Sequence, residues 1–250
     1  MQKNLVSIIT PTDNCGAFIA ETMDTVLAQT YTDWEMIIVD DCSTDDTRAV
    51  VEAYQAKDSR FIYHCLEQNS GAAVARTKAM ELAKGEYMAF LDSDDLWTPD
   101  KLERQLKFMN DNGYAFSCTA YEQVDEQGAP LGKVIKTIPK TNYNRLLLDC
   151  PVGNSTVMYS VAKMGKFQVP NIRKRNDDAL WLQMLKKETY IHGMPDVLMR
   201  YRVRPGSISA NKLTLIKYHW HLYREIEHLS IFRSAFHVCW WCFLKVFKIK

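Results

Sequence analysis

The run AFLDSDDLW, Ala89 to Trp97, passes from an apolar strand signal straight into three carboxylates within four positions. Asp92, Asp94 and Asp95 repel one another, and a strand end is a poor place for uncompensated repulsion. A parallel sheet covered by helices gives such acids a purpose, because ligands bind at the carboxyl ends of its strands. The flanking sequence decides whether that architecture is present.

Upstream, strand and helix signals alternate. LVSIIT (Leu5 to Thr10) is a short β-branched run, followed by a helical pattern from about Phe18 to Gln29. EMIIVDD (Glu35 to Asp41) reads as a second buried strand, and Ser43 with Asp46 predicts an N-cap for a helix reaching about Lys57. FIYHC is a third strand, GAAVARTKAMELAKGEY a helix ended by Gly85, and YMAFLD the fourth strand. Thr98 and Pro99 predict an N-cap and a first-turn proline for the helix carrying Leu102, Leu106 and Met109. The fold class is therefore α/β: a Rossmann-like, mainly parallel sheet flanked by helices. IIVDD and FLDSDD both set their acids at the ligand-binding edge.

After about residue 112 the rhythm changes. YAFSCTAYEQV leads through Glu126-Gln127-Gly128 into LGKVIK, a predicted hairpin. Asn142 to Asp149 reads as a short helix, NSTVMYS as a strand, and DDALWLQMLKK as a helix. VLMRYRVRPGSIS closes a domain over residues 1–212, and residues 213–250 form a tail of two amphipathic helices. In the first, Leu215, Leu222, Ile226 and Leu229 share a face. In the second, Phe236, Trp240, Phe243 and Phe247 lie on one side, with Ser234, His237, Lys245 and Lys248 largely opposite. Such a basic, tryptophan-rich helix suits an anionic membrane surface or packs its aromatics on protein; periodicity leaves both open.

The composition, 47% hydrophobic and 24% charged over 250 residues, is that of a globular protein. A formal net charge of +1 gives no field that draws it onto nucleic acid. Seven scattered cysteines and a start, MQKNLVSIIT, without a signal-peptide pattern predict free thiols and a cytoplasmic location. No apolar run reaches the roughly 20 residues of a membrane span. GxGxxG and GxSxG are absent, and Gly132-Lys133 and Gly165-Lys166 are followed by Val134 and Phe167, which excludes a Walker A loop. CWWC is a lone CxxC, and Leu96, Trp97 and Pro99 spoil an EF-hand reading of DSDDLW.

Asp92 and Asp94 flank one small residue. In an extended segment both carboxylates point to one site, the arrangement that Mg²⁺ or Mn²⁺ takes when water and substrate phosphate complete its shell. The metal would offset the repulsion between the aspartates and a diphosphate and act as a Lewis acid on its departing oxygen. Helix capping, the plainer role of an acidic loop, needs only one of the three acids.

VSIITPTDN, VLAQTYTDWEMIIVDDCSTDDT, NSGAAVARTKAMELAKGEYMAFLDSDDLWTPDKLERQLKFM and NDDALWLQML together resemble the family 2 glycosyltransferases, inverting enzymes of the GT-A fold. The resemblance runs from about Leu5 to Ser209 and is strongest to teichuronic-acid-type and other surface-polysaccharide members. It implies that Thr10, Pro11 and Thr12 hold the nucleotide base, and that Asp41 reads the uracil edge. Here Thr12 and Asp13 intervene before Asn14, where the family has an aromatic residue and Asn after the proline. Asn69 and Arg76 match positions lining the nucleotide and diphosphate, and Asp92 and Ser93 match contacts to ribose and diphosphate. Asp94 matches the principal metal ligand, with Asp92 as a second candidate, and Asp95 matches a loop cap. Asp177 matches the general base, with Asp178 as fallback and Asn176 where the family has Glu. Helix capping is the competing role for both acids. Arg202 and Ser207 match a late segment near the donor diphosphate or the acceptor.

The resemblance implies a metal-assisted (Mn²⁺ or Mg²⁺) inverting transfer from a nucleotide-sugar, chiefly a UDP-sugar. The acceptor would be a hydroxyl of a growing, lipid-linked surface glycan, met at the inner face of the cell membrane by a peripheral enzyme. Residues 1–112 would form the donor and metal half and 113–212 the acceptor half. A nucleotidyltransferase and a catalytically silent nucleotide-sugar-binding scaffold are the rival readings.

Overall fold

The computed structural model describes residues 1–204 and 212–247. The first half contains β1 (Gln2–Thr12), α1 (Gly16–Leu27), β2 (Trp34–Asp40), α2 (Thr47–Gln55), β3 (Phe61–Cys65), α3 (Ala72–Leu82), β4 (Gly85–Phe90), β5 (Leu96–Trp97) and α4 (Lys101–Asn112). Then come β6 (Phe116–Val124), β7 (Pro130–Ile135), β8 (Lys140–Thr141), α5 (Tyr143–Leu148), β9 (Met158–Ser160), α6 (Val161–Met164), α7 (Asn176–Met184) and β10 (Ile191–Arg202). The C-terminal part is α8 (Lys212–His221), its π-helical continuation Leu222–Ile226, and α9 (Ile231–Val246).

One sheet runs in the order β3-β2-β1-β4-β9-β6-β10-β5, with β7 beside β6 and β8 beside β10. The first four strands pair in parallel, as alternating β-α units require. Beyond β4 the sheet is mixed: β9 is antiparallel to β4 and β6, whereas β6 and β10 are parallel. Strand β2 is buried at every position, which is why its sequence is a continuous apolar run. Side-chain alternation sorts it between two cores. Ile37 and Val39 pack with α3 and α7 on one face, while Met36 and Ile38 pack with α1, α2 and α4 on the other.

Several local expectations are corrected. Ser43 does not cap α2; its hydroxyl donates to Asp40 Oδ1 at 2.6 Å and closes the turn after β2, while Asp45 Oδ1 accepts the Thr47 N–H at 3.0 Å. Gly85 does not end α3 but opens β4, where a Cβ would lie 2.5 Å from the Leu5 carbonyl oxygen. Thr98 and Pro99 precede α4 by a turn, because Thr98 Oγ1 donates to Asp100 Oδ1 and Asp100 takes the N-cap position. Asn154–Thr156 forms a 3₁₀ turn rather than the start of a strand.

The tail joins the α3/α7 face. Leu222, Tyr223 and Leu229 belong to that core, and Tyr223 donates its hydroxyl to the Leu147 carbonyl at 3.0 Å. Helix α9 turns Ser234, His237, Trp241 and Leu244 inward and leaves Phe236, Trp240, Phe243 and Phe247 exposed. Those aromatics therefore do not pack on the domain; Trp241 and Leu244 supply the apolar contact instead. No helix among the described residues is long and apolar enough to cross a membrane.

Candidate active site

The carboxyl ends of β1, β2 and β4 lie along one edge of the sheet, and turn chemistry ties their loops together. Thr10, Pro11 and Thr12 are buried at the end of β1, and the Thr12 carbonyl accepts the Asp41 N–H at 2.9 Å. Asp41 commits both carboxylate oxygens to the loop before α3: Oδ1 accepts Ser70 N–H at 2.6 Å and Oδ2 accepts Gly71 N–H at 2.7 Å. Asn69 Nδ2 donates to the Asp41 carbonyl at 3.0 Å. Gly71 has φ +91°, a conformation that glycine adopts without steric cost at this helix start.

The DSDD segment is a tight turn, with Asp95 N–H donating to the Asp92 carbonyl at 3.1 Å. Asp92 and Asp94 thus do not share a face by strand alternation, as the extended reading required. Buried contacts from distant elements impose the turn. The Ser93 carbonyl accepts Thr22 Oγ1 at 3.0 Å and Cys15 Sγ at 3.3 Å. Asp95 is buried, accepting Ser155 Oγ at 2.6 Å and Arg202 N–H at 3.1 Å. Desolvation pushes its carboxyl well above the usual range, reinforced by Asp94 and Asp92.

Two arginines answer the remaining acids. Asp94 Oδ2 lies 2.7 Å from Arg204 Nε. Asp92 Oδ1 accepts Arg76 Nη2 at 3.0 Å and Asn154 Nδ2 at 2.8 Å. Arg76 is buried and its other terminal nitrogen donates to Asn176 Oδ1, the first residue of α7. One guanidinium thereby ties the DSDD turn to the helix carrying Asp177 and Asp178.

The two acids of α7 have opposite environments. Asp178 is turned inward, with Arg175 Nη2 2.5 Å from Oδ2, and burial raises its carboxyl to about 6 against the pull of Arg175. Asp177 is half-buried and has no hydrogen-bond donor among the described residues. It lies near enough to Asp92 to help raise that carboxyl, after desolvation and Asp94 and against Arg76. Asp94, from the β4 turn, and Asp177, from α7, therefore both lie within electrostatic reach of Asp92.

Arg202 is placed otherwise than a donor or acceptor contact requires. Its side chain is fully buried, with Nε donating to the Asp94 carbonyl at 2.9 Å, Nη1 to the Glu126 carbonyl and Nη2 to Glu21 Oε2 at 2.5 Å. It is a clamp beneath the turn. Ser207 lies outside the described residues. The arginine beside the Asp94 carboxylate is Arg204, two positions past the end of β10. Asn154 and Ser155, read from the sequence as the start of a strand, carried no signal for their contacts to Asp92 and Asp95. Arg175, held at φ +66°, carried no local signal.

Among the described residues no group of three or more His, Cys, Asp or Glu could hold a metal ion. The oxygen pair Asp92 and Asp94 nevertheless fits Mg²⁺ or Mn²⁺, which take one or two protein carboxylates beside water and phosphate. Asp92 Oδ2 and Asp94 Oδ1 have no hydrogen-bond donor among the described residues, so a lone pair of each acid is available.

The sequence profile of Glycosyl transferase family 2 matches residues 7–169. The chain is 46% identical over 246 residues to TuaG of Bacillus subtilis, named as a teichuronic acid biosynthesis glycosyltransferase, covering 98% of this chain and 96% of TuaG. It is 40% identical over 210 residues to WfaP of Escherichia coli, named UDP-Glc:alpha-D-GlcNAc-diphosphoundecaprenol beta-1,3-glucosyltransferase, covering 83% and 81% of the two chains. The crystal structure of S. aureus TarS in complex with UDP-GlcNAc superposes with a TM-score of 0.71 at 22% identity, covering 93% of this chain and 69% of that one, a likeness of fold. Parallel β-α units, acids at their carboxyl edge and these matches agree: the chain belongs to glycosyl transferase family 2 and is a glycosyltransferase of the GT-A fold.

Proposed function

We propose that this enzyme transfers a sugar from a UDP-sugar to a hydroxyl of a lipid-linked precursor of a surface glycan, with inversion and with Asp177 as general base. The observation that carries the reading is Arg76, which holds the first turn of α7 against Asp92 and so keeps Asp177 beside the donor crevice. Asp177 would take the proton of the acceptor hydroxyl as that oxygen bonds the anomeric carbon and the bond to UDP breaks. Asp178 is excluded from that role by its ion pair with Arg175.

Asp94, with Asp92, would hold Mn²⁺ or Mg²⁺. Bound there, the metal would supply Lewis-acid stabilisation of charge on the departing diphosphate. Thr12 Oγ1, Arg76 Nε and Asn154 Oδ1 are buried without partners among the described residues, and a polar ligand would satisfy such groups. Thr10 to Thr12, Asp41, Asn69 and Ser93 would line the nucleotide. In this reading residues 1–112 bind donor and metal, 113–212 face the acceptor, and 213–250 bring the enzyme to the inner membrane surface. The names of TuaG and WfaP support a surface-polysaccharide role and a diphosphoundecaprenol-type acceptor. Family membership removes the nucleotidyltransferase reading, and the intact acids disfavour a silent scaffold.

Asp177→Asn tests the assignment. UDP-sugar binding by calorimetry should match wild type while transfer falls about a thousandfold. Loss of donor binding would instead make Asp177 a structural cap.

A further inference from the structure

We propose that the outward face of α9 is the surface on which this enzyme seats on an anionic phospholipid bilayer; the inference rests on the reading of a membrane-anchored acceptor above. The helix spans 16 residues, about 24 Å. Along its outer side Phe232 is 88% exposed, Phe236 56% and Phe247 63%, with Trp240 and Phe243 between them. The rings form a continuous row, with centroids 6.4 Å apart from Phe236 to Trp240, 5.7 Å from Trp240 to Phe243 and 4.6 Å from Phe243 to Phe247. Single exposed apolar residues are ordinary, but a contiguous aromatic stripe of this length marks an interaction surface.

The inward side makes the point sharper. Ser234 Oγ and His237 Nδ1 are buried there without hydrogen-bond partners among the described residues. A helix packed for water alone would bury its aromatics and solvate these polar groups. The observed orientation is favourable where an apolar phase covers the outer side.

Charge selects the occupant. The exposed ionic side chains of α9 are Arg233 and Lys245, both cations, and residues 231–250 contain no acid. Lys245 has Asp149 at 4.0 Å on the adjoining loop, and Arg233 Nη2 reaches Asn144 Oδ1 at 3.1 Å. A two-fold contact between copies of this face would oppose Arg233 and Lys245 with like charge. Anionic headgroups match both, while Trp and Phe suit the boundary between headgroups and acyl chains.

The position also serves catalysis. Trp241 on the inner side of α9 packs at 4.4 Å on His219 of α8, and His219 and Tyr223 lie within electrostatic reach of Arg175, which opens α7. The stripe is thus backed by the layer that supports Asp177, so a bilayer there lies on the side of the base.

The test is co-sedimentation of the full chain with vesicles of phosphatidylglycerol and phosphatidylcholine, and with phosphatidylcholine alone. Wild type should pellet with the anionic vesicles, less so at high salt. A Phe232→Ser, Phe236→Ser, Phe243→Ser variant should partition about tenfold more weakly or worse. Unchanged circular dichroism and UDP-sugar binding would show that the variant folds. Wild type left in the supernatant, equal partition of the variant, or a lipid-free dimer that the variant abolishes would each overturn the proposal. Donor turnover is read separately on detergent-dispersed acceptor: vesicle binding without UDP release would sink the transfer reading and leave the surface standing.

Discussion

Exchanging Arg202 for methionine separates a buried clamp from a ligand contact. Methionine keeps much of the apolar stem but removes the bonds to the Asp94 and Glu126 carbonyls and to Glu21. Two carbonyls lose a charged donor, at about 1.5–3 kcal/mol each net. The Glu21 partner is 51% exposed, so its ion pair, screened by solvent, adds under about 1 kcal/mol. The sum is about 3–7 kcal/mol, or roughly 1–2 M in the urea midpoint for a slope near 3 kcal/mol per molar. The freed Asp94 carbonyl should also loosen the turn, so metal-dependent donor binding weakens alongside stability. Arg204→Met is the paired control. That side chain is 28% exposed and its ion pair to Asp94 is worth under about 1 kcal/mol. Its midpoint should stay near wild type while UDP-sugar affinity drops. Urea unfolding followed by fluorescence, with donor binding by calorimetry, reads both variants. If Arg202→Met keeps the wild-type midpoint and loses donor binding, or if Arg204→Met unfolds as early as Arg202→Met, the clamp argument is wrong.

Arg76→Lys retains a cation but cannot span Asp92 and Asn176 together, so kcat should fall by about tenfold or more with a smaller change in donor KM; an unchanged kcat would show that the bridge does not position Asp177. Asp94→Asn should abolish Mn²⁺- or Mg²⁺-dependent UDP release, and chelation should do the same to wild type without moving its unfolding midpoint; normal turnover by the variant would remove the metal assignment. His219, buried and depressed to about 2, stays neutral in the folded chain while the unfolded chain takes up a proton below about 6.5. The His219 contribution to stability should therefore fall as pH drops from about 6.5 to 5, by up to about 1.4 kcal/mol per pH unit, against the opposite contribution of Asp178, whose raised carboxyl takes up its proton first in the folded chain. His219→Phe should flatten that limb in urea titrations across the range, and an identical slope would refute the assignment.

The order of β-α units and the presence of acids at the carboxyl edge of β2 and β4 were legible in the sequence alone. Both follow from local chemistry: apolar periodicity selects strand or helix, and a parallel sheet has only one ligand-binding edge. The family resemblance narrowed the proposed base to two adjacent aspartates, for which helix capping was the competing role. What only the tertiary structure decided was pairing across distance. Arg76 meets Asp92, sixteen positions on, and Asn176, a hundred positions on. Arg202 and Arg204 are two positions apart, yet burial makes the first a clamp and leaves the second beside the Asp94 carboxylate. DSDD closes as a turn because Thr22, Ser155 and Arg202 hold it from other elements. Helical spacing gathered the α9 aromatics on one side but carried no information about which side faces the domain. A residue's neighbours along the chain set its conformational preferences, whereas its charge partner, and the phase its side chain faces, depend on what the fold brings alongside it.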